Sequence, residues 1–394
     1  MNSEQETCCR QGGLYKFPWA HLLVCFFLAI VLFSCSGEKP LDLGYFTKVG
    51  DLSLSSDGSQ ILFTGCGHKD YRNCTIYRFD RNAGTLYRYI PRDERIEVIG
   101  GRYTSNSMRL AFVVIPITKE DKRRYDDMQI ALINQDGTGY TQLTKGRGMK
   151  VAYMLSVDGK TLVYCRGKER KSGKTMASDF DFYKLDLATN KETQLTNLAF
   201  YGVSDPYFTP DGKYVVFEGD SPLRLPYTNN IDIVKQFRED YKQKYKENII
   251  LKYPLDGSGI DKEPVPMFTF DENPKGSPIM PSGIVVSGSK NPMMTEDGSI
   301  WFEGRVAPHG VIGYYRRFPN EKTIELSREL LGLSPKKFPL QMTITPDGHW
   351  LAILIENRKN TGHSLGRTIQ ILDTTMGKCC ELPVPATAEN ILIK

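Results

Sequence analysis

The chain has 394 residues, which at about 150 residues per domain corresponds to two or three domains or to a single all-β propeller. Apolar residues make up 40 % of the chain and 35 residues are glycine, so the chain can bury a core and is not disordered. The net charge of +5 is too small for a dedicated nucleic-acid binder, whose basic excess is large and clustered. The five histidines argue against a His-rich metal site, and we predict neither a metal nor a cofactor.

The N-terminal region has the pattern of an export signal. Arg10 and Lys16 precede sixteen nearly unbroken apolar residues at 18–33. This run is shorter than the roughly 20 residues of an ordinary transmembrane helix and fits the apolar core of a signal peptide. We therefore assign residues 1–34 to a signal peptide and expect the protein to be exported.

The end of this segment, Leu32-Phe33-Ser34-Cys35, resembles the lipobox of bacterial lipoproteins, in which the cysteine is lipidated and becomes the first mature residue. The resemblance implies a lipid anchor on Cys35, a linker over residues 35–45 and a place at the bacterial cell envelope. Ser36 stands where inner-membrane lipoproteins of well-studied bacteria carry Asp, which favours the outer membrane. The alternative is an uncleaved signal anchor in which Cys35 is an ordinary thiol.

Six cysteines remain after residue 34. Export places them in an oxidising compartment where disulfides persist. Cys66 and Cys74 flank one short loop, and we expect a disulfide between them. Cys379 and Cys380 are adjacent and would point to opposite faces of a strand, which argues against a bond between them.

A repeat of about 50 residues organises the chain after residue 45. Each copy begins with two apolar runs around a tight turn, which is Asp-Gly in five copies and Asn-Ser in the other. The central turn residues recur at spacings of 49, 52, 53, 86 and 50 residues and are Asp57, Asn106, Asp158, Asp211, Asp297 and Asp347. Asp-Gly between alternating apolar runs is the strongest short-range signal of a β-hairpin.

A second strand–turn–strand phrase follows in each copy, so each repeat supplies four short strands, a to d. Four-stranded units of 40–50 residues are typical of propeller blades. We therefore predict an all-β, six-bladed propeller over residues 46–394. The spacing of 86 residues marks an insertion at 219–248 in blade 4, where Val234, Phe237, Tyr241 and Tyr245 form one stripe of an amphipathic helix. That helix either covers the blades or acts as a lid or docking element.

The repeats resemble those of the TolB-type propellers, a WD-like family with the signature (S/T)-P-D-G. Thr209-Pro210-Asp211-Gly212 and Thr345-Pro346-Asp347-Gly348 carry this signature. The resemblance covers the six repeats and implies fold rather than function, because propellers serve binding proteins, lyases and peptidases alike. TolB itself has an α/β domain before its propeller and no lipid anchor, so its role in the Tol–Pal system is not carried over.

Positive charge concentrates on the predicted b–c loops, which lie on one rim of a propeller. We define the basic rim by twelve of these positions: Lys69, Arg72, Lys122, Arg123, Arg124, Arg166, Arg170, Lys171, Arg305, His309, Arg358 and His363. These side chains are either ordinary solvent-exposed charges without a ligand or an anion-binding site. In the second case the ligand is an acidic glycan, the phosphates of lipids or an acidic protein surface.

Two functions are compatible with these observations. The first is a non-catalytic binding module, held to the membrane by its lipid alone, that binds an envelope protein or an acidic glycan and no nucleic acid. The alternative is a polysaccharide lyase, because oligogalacturonate lyases resemble TolB propellers. Such lyases hold a divalent metal with several histidines, whereas the mature chain offers only His68, His309, His349 and His363. Motifs of nucleophilic catalysis and metalloproteases do not occur, and we predict no catalytic residue.

Overall fold

The computed structural model describes the propeller and the C-terminal segment of the chain. Its described residues are 43, 46, 48–67, 73–104, 107–167, 180–198, 200, 202–219, 249–260, 265–266, 271–272, 278–279, 286–306, 311–319, 323–358, 364–385 and 387–394. The predicted signal peptide, Cys35 and, from residue 220 on, the predicted helical insertion lie outside them. Within them, no helix is long and apolar enough to cross a membrane.

Six antiparallel four-stranded sheets confirm the predicted all-β, six-bladed propeller. In each sheet the strands are hydrogen-bonded in chain order, so that strand a neighbours b, b neighbours c and c neighbours d. Blades 1 to 3 consist of β1 (Lys48–Leu54), β2 (Gln60–Cys66), β3 (Thr75–Asp80) and β4 (Thr85–Ile90); β5 (Ile96–Tyr103), β6 (Arg109–Pro116), β7 (Gln129–Asn134) and β8 (Thr141–Gln142); and β9 (Lys150–Leu155), β10 (Thr161–Gly167), β11 (Phe180–Asp186) and β12 (Glu192–Gln194).

The second half of the ring repeats this order. Blade 4 consists of β13 (Tyr207–Phe208), β14 (Tyr214–Gly219), β15 (Ile249–Pro254) and β16 (Val265–Pro266), and a two-stranded sheet of β17 (Asp271–Glu272) and β18 (Pro278–Ile279) follows it. Blades 5 and 6 consist of β19 (Val286–Met294), β20 (Ile300–Val306), β21 (Val311–Arg317) and β22 (Thr323–Leu326); and β23 (Lys337–Ile344), β24 (Trp350–Arg358), β25 (Ser364–Asp373) and β26 (Lys378–Glu381). A 3₁₀ turn, Tyr125–Asp127, lies in the b–c loop of blade 2.

The antiparallel order gives the disc two different faces. Lys48, the first residue of β1, pairs with Cys66, the last residue of β2, so the chain enters blade 1 at the end where the b–c loop leaves it. We call this side, which holds the b–c loops and the d–a connections, the loop face. The opposite side holds the a–b and c–d turns, and we call it the turn face.

Five of the six a–b turns share one hydrogen-bond pattern. In blade 4 the hydroxyl of Thr209 donates to Asp211 at 2.6 Å, and Asp211 accepts the backbone N–H of Lys213 at 3.1 Å. Asp57, Asp158, Asp297 and Asp347 make the same two bonds. The glycine after each aspartate has a positive φ, 65° at Gly212, which a side chain would disfavour. The repeated Ser/Thr-x-Asp-Gly phrase is therefore a requirement of the turn.

The apolar core lies between the blades. Each of its clusters joins neighbouring sheets, as where Phe182 of blade 3 packs against Phe217 of blade 4 with ring centroids 4.4 Å apart. Strands b and c are nearly completely buried, and Phe63, Phe112, Tyr164 and Phe302 are among the largest fully buried side chains. Because each sheet buries both faces against its neighbours, the central strands read as continuous apolar runs rather than as alternating ones.

The ring closes without a shared blade, since all six blades are built from consecutive strands. Blades 1 and 6 meet through a cluster in which Leu43 and Phe46 pack with Leu354 and Ile371. The C-terminal segment then leaves blade 6, and β27 (Glu389–Leu392) pairs in parallel with β4 as a fifth strand of blade 1. The segment continues to the c–d turn of blade 2, where backbone hydrogen bonds join Lys394 to the turn. The C-terminus therefore ties blades 6, 1 and 2 together.

Candidate functional site

The described part of the basic rim lies on the loop face, in blades 2, 3 and 6. Arg123 is paired with Glu97, which is only 2 % exposed, at 2.5 Å from Nε to Oε2. Its Nη2 also donates to Sγ of Cys74 at 3.1 Å, and Glu97 accepts the backbone N–H of Asn73 at 2.8 Å. Arg123 therefore fastens the first b–c loop, which the Cys66–Cys74 disulfide closes, to blade 2.

Three further rim arginines also contact carboxylates of the chain itself. Arg124 pairs with Asp127, and Arg358 pairs with Glu356 while its guanidinium stacks on a neighbouring phenyl ring. Arg166 pairs with Glu192 at 2.8 Å and lies 3.8 Å from the ring centroid of Tyr183. These side chains are held by internal partners, so an acidic ligand would have to compete for them. Lys122 is exposed at the same face.

The remaining rim positions are outside the described side chains. Arg305 lies in β20, but its side chain is not described. The other positions lie in parts of the chain that the structure does not describe: Lys69, Arg72, Arg170, Lys171, His309 and His363. An anion-binding role of the whole rim therefore stays a prediction.

A buried lysine of the loop face lies outside the basic rim. Lys150 begins β9 and is 0 % exposed. Its ammonium donates to the carbonyl oxygens of Gly146 at 2.8 Å and Gly148 at 3.1 Å. Burial, together with the nearby guanidinium of Arg166, lowers the pKa of Lys150 to about 8. Among the described residues its hydrogen-bond acceptors are backbone carbonyls, so it is a structural support of the d–a connection before blade 3.

In five of the six blades, strand a, which lies innermost in the ring, is interrupted by a β-bulge or a register shift. β1, β5, β9, β19 and β23 each contain a β-bulge or register shift. In four of these strands a residue at the irregularity has a positive φ: Asp51, Gly100, Ala152 and Asn291. Bulges re-aim the side chains that follow them.

An ion pair joins two blades that are not neighbours in the ring. Arg102 follows the bulge of β5 in blade 2, and Asp205 precedes β13 in blade 4; their side chains are hydrogen-bonded. Arg102 is 12 % exposed and Asp205 is 36 % exposed, so water still reaches the pair. Burial raises the pKa of Asp205, while Arg102 and the backbone N–H of Tyr153 act in the opposite direction. Among the described residues, Asp205 is the acceptor of the Arg102 guanidinium.

Two tyrosines flank this pair. The phenol of Tyr153, from strand a of blade 3, donates to the carbonyl oxygen of Gly100 at 2.5 Å. Burial opposes the charged form of Arg102, but Asp205, Tyr207 of strand a in blade 4 and Asp51 of blade 1 raise its pKa above the ordinary value. We call Asp51, Arg102, Tyr153, Asp205 and Tyr207 the channel cluster. It brings one cation, two carboxyl groups and two aromatic rings together from four blades.

Sequence reasoning did not find the channel cluster. Its members belong to four repeats and share no motif. The described histidine, His349, lies in the a–b turn of blade 6, stacked on Trp350 with ring centroids 4.8 Å apart. Its Nε2 is 3.3 Å from Oδ1 of Asp373 on the turn face. Among the described residues, no group of three His, Cys, Asp or Glu side chains is placed to hold a metal ion.

Comparison with known proteins supports the fold. TolB of Acinetobacter baumannii superimposes with a TM-score of 0.51 at 15 % identity, over 89 % of this chain and 66 % of that one. The fold is that of the TolB-like six-bladed propellers. A puromycin-hydrolysing peptidase of Mycobacterium tuberculosis reaches a TM-score of 0.50 at 11 % identity, over 89 % of this chain and 56 % of its own. No family model matches the TolB-like chain, and no curated protein does.

An oligogalacturonate lyase of Vibrio parahaemolyticus superimposes with a TM-score of 0.49 at 13 % identity, over 88 % of this chain and 78 % of that one. All these identities are low, and the matched proteins differ in activity, so the comparisons describe the architecture of the TolB-like propeller alone.

Proposed function

We propose that this TolB-like propeller is a non-catalytic binding module at the bacterial cell envelope, held at the outer membrane by lipid on Cys35. Its ligand is a protein segment or an acidic glycan that presents a carboxylate to the channel cluster. The observation that carries this proposal is the Arg102–Asp205 pair, which is enclosed by the channel and still reached by water.

The chemistry of the channel cluster suits such a ligand. A guanidinium offers five N–H donors in a planar fork, and of the described residues Asp205 is its one hydrogen-bond acceptor. A ligand carboxylate, which Arg binds in a bidentate manner, would use N–H groups other than the one that Asp205 accepts. The rings of Tyr153 and Tyr207 add apolar faces with polar tips, against which a sugar ring or a peptide packs.

The binding proposal is tested by titrating oligogalacturonate, a neutral oligosaccharide of equal length, and an acidic and a neutral peptide against three forms of the protein. We expect wild type to prefer the acidic member of a pair. Arg102→Gln should weaken that binding at least tenfold. Asp205→Asn keeps the guanidinium of Arg102 but removes the carboxylate that competes with the ligand for it. This variant should therefore bind the acidic ligand more tightly than wild type does.

Thermal unfolding of all three forms checks that each variant is folded. Equal affinity of wild type and folded Arg102→Gln, or a preference for the neutral ligands, would contradict a carboxylate site in the channel.

The anchor is tested separately by fractionation of cells that express the full chain. Cys35→Ser should move the protein from the membrane fraction to a soluble or unprocessed form, because the acyl chains that hold it are lost. Cys25→Ser, within the same apolar segment, is the matched control and should stay with the membrane. A processed, membrane-bound Cys35→Ser product would show that Cys35 is not the anchor.

A further inference from the structure

Asp51 of the channel cluster lies on a β-bulge in strand a of blade 1. The register between β1 and β2 shifts between Gly50 and Ser53, and Asp51 has a φ of 56°. Leu52, the next residue of the bulge, is 1 % exposed and packs in the core between blades 1 and 6. Asp51 itself is half-buried. The bulge thus lets Leu52 fill the core while Asp51 keeps contact with solvent.

A hydrogen bond holds this part of β1 beside strand a of blade 2. The backbone N–H of Tyr103, which directly follows Arg102, donates to the hydroxyl of Ser53 at 3.4 Å. The charge of Asp51 also acts across the ring. Burial raises the pKa of Asp205 and the carboxylate of Asp51 raises it further, while Arg102 acts in the opposite direction. Groups of blades 1, 2 and 4 come together near the axis of the ring, so the carboxylate of Asp51 lies in the channel near Arg102.

The carboxylate of Asp51 has no partner within the channel cluster. The guanidinium of Arg102 is hydrogen-bonded to Asp205, whereas among the described residues no hydrogen bond or ion pair reaches Asp51. The phenol of Tyr207 likewise makes no hydrogen bond to a described residue. Two carboxylates share one guanidinium, so one negative charge stays unpaired. A half-buried charge without a partner is costly, which makes this carboxylate an acceptor for a cation from outside the chain.

A ligand with both a cation and an anion suits this arrangement. Arg102 binds a carboxylate with its planar fork, and Asp51 accepts the hydrogen bonds of an ammonium group. The face of a tyrosine ring such as that of Tyr207 also attracts an ammonium ion. A polyuronate carries carboxylates alone, so Asp51 would repel it and would keep its charge unpaired. The charges of the cluster therefore favour peptide chemistry over an acidic glycan.

We infer that the channel cluster binds a free amino acid or a short peptide with unblocked ends, whose ammonium contacts Asp51 and whose carboxylate contacts Arg102. This rests on the carboxylate site of the proposed function and narrows its ligand from a protein segment or an acidic glycan to a zwitterion. Such a ligand gives the unpaired carboxylate of the cluster a partner of opposite charge.

Calorimetric titration of the full chain with alanine, dialanine and trialanine tests this inference. Each probe is used with free ends, with an N-acetyl group that removes the ammonium, and with a C-terminal amide that removes the carboxylate. We expect wild type to bind the free form of at least one length and to bind either blocked form of that length at least tenfold more weakly. Oligogalacturonate is titrated alongside as the acidic glycan.

Asp51→Asn removes the charge of Asp51 and keeps the bulge, since Asn tolerates a positive φ as Asp does. This variant should bind the free probe at least tenfold more weakly than wild type, and acetylation should then cause no further loss. In Arg102→Gln, amidation should cause no further loss. Glu94→Gln, at an exposed carboxylate outside the channel, is the matched control and should bind as wild type does. Thermal unfolding checks the fold of each variant, and the blocked probes test the inference on wild type alone.

The outcomes separate this inference from the proposed function. Equal affinity of wild type for the free and N-acetylated probes overturns the inference and leaves the carboxylate site in place. An acetylation loss that is unchanged in folded Asp51→Asn overturns it as well, because another group then binds the ammonium. Tighter binding of oligogalacturonate than of every peptide probe assigns the cluster to an acidic glycan instead. Absence of binding by every probe that carries a carboxylate contradicts both the inference and the proposed function.

Discussion

Arg102 and Asp205 form an ion pair across the central channel although 103 residues separate them in the sequence. They belong to blades 2 and 4, which do not neighbour each other in the ring. Contacts between adjacent blades build the core, whereas this pair connects two blades that are separated by a third. The pair is therefore both the centre of the candidate site and a brace inside the ring.

Loss of the guanidinium should destabilise the protein. Arg102→Gln leaves the carboxylate of Asp205 in a site whose burial already raises its pKa. Removal of one partner from a fully buried pair costs about 3–5 kcal/mol, and we expect about 2 kcal/mol here because Asp205 is 36 % exposed. The measurement is urea unfolding of wild type and variant.

The matched control for this prediction is the surface pair Arg95–Asp93, whose side chains are 59 % and 46 % exposed. Arg95→Gln should change the free energy of unfolding by less than about 0.5 kcal/mol. Equal effects of the two substitutions would mean that the channel does not shield its ion pair from solvent.

Equivalent glycines should respond differently to the same substitution. Gly58 and Gly159 both have a φ of 68° and follow the turn aspartates of blades 1 and 3. Alanine costs about 1–2 kcal/mol at this φ. A Cβ on Gly58 would also come within 2.3 Å of the indole of Trp350 in blade 6, whereas nothing lies within 4 Å of one on Gly159. Gly58→Ala should therefore lower the free energy of unfolding by about 2 kcal/mol more than Gly159→Ala does. Similar losses in chemical denaturation would show that Trp350 moves aside without cost.

The C-terminal strand should contribute to the stability of the whole ring. Ile393 is 6 % exposed and packs in the cluster between blades 1 and 2, whereas its neighbour Leu392 is 45 % exposed. Ile393→Ala should cost about 2 kcal/mol, and Leu392→Ala less than about 0.5 kcal/mol. Thermal unfolding of the two variants measures the difference. A transition temperature of Ile393→Ala as high as that of Leu392→Ala would show that the strand is dispensable.

Lys150 should make stability depend on alkaline pH. Its pKa is about 8 in the folded protein and about 10.4 in an unfolded chain, so the unfolded state binds more protons between these values. Stability relative to Lys150→Met should therefore rise by about 2 kcal/mol from pH 8 to pH 10, because deprotonation relieves the cost of a buried charge. Denaturant unfolding at several pH values measures this difference. Lys145→Met, at an exposed lysine of the same connection, is the matched control. A constant difference for Lys150→Met would place the pKa of Lys150 near its ordinary value.

The repeat pattern determined the architecture of this protein. Local chemistry is sufficient for that: a Ser or Thr hydroxyl, an aspartate that accepts the N–H groups of its turn and a glycine with positive φ define each first hairpin wherever the phrase occurs. Six copies of such a phrase, each unable to bury its apolar strands alone, predict six blades packed in a ring. The TolB-like fold followed from these residues, because each hairpin depends on contacts within one repeat.

Tertiary structure alone decided the partners of the charged side chains. Arg123 and Arg166 read as free positive charge in the sequence, but in the fold they contact Glu97 of β5 and Glu192 of β12. Neither the pairing of the C-terminal strand nor the channel cluster could be predicted. The first joins Glu389 to Tyr87, about 300 residues earlier, and the second depends on where the ring places residues of four blades. Such contacts depend on where the ring places distant residues, and no spacing within a single repeat encodes that position.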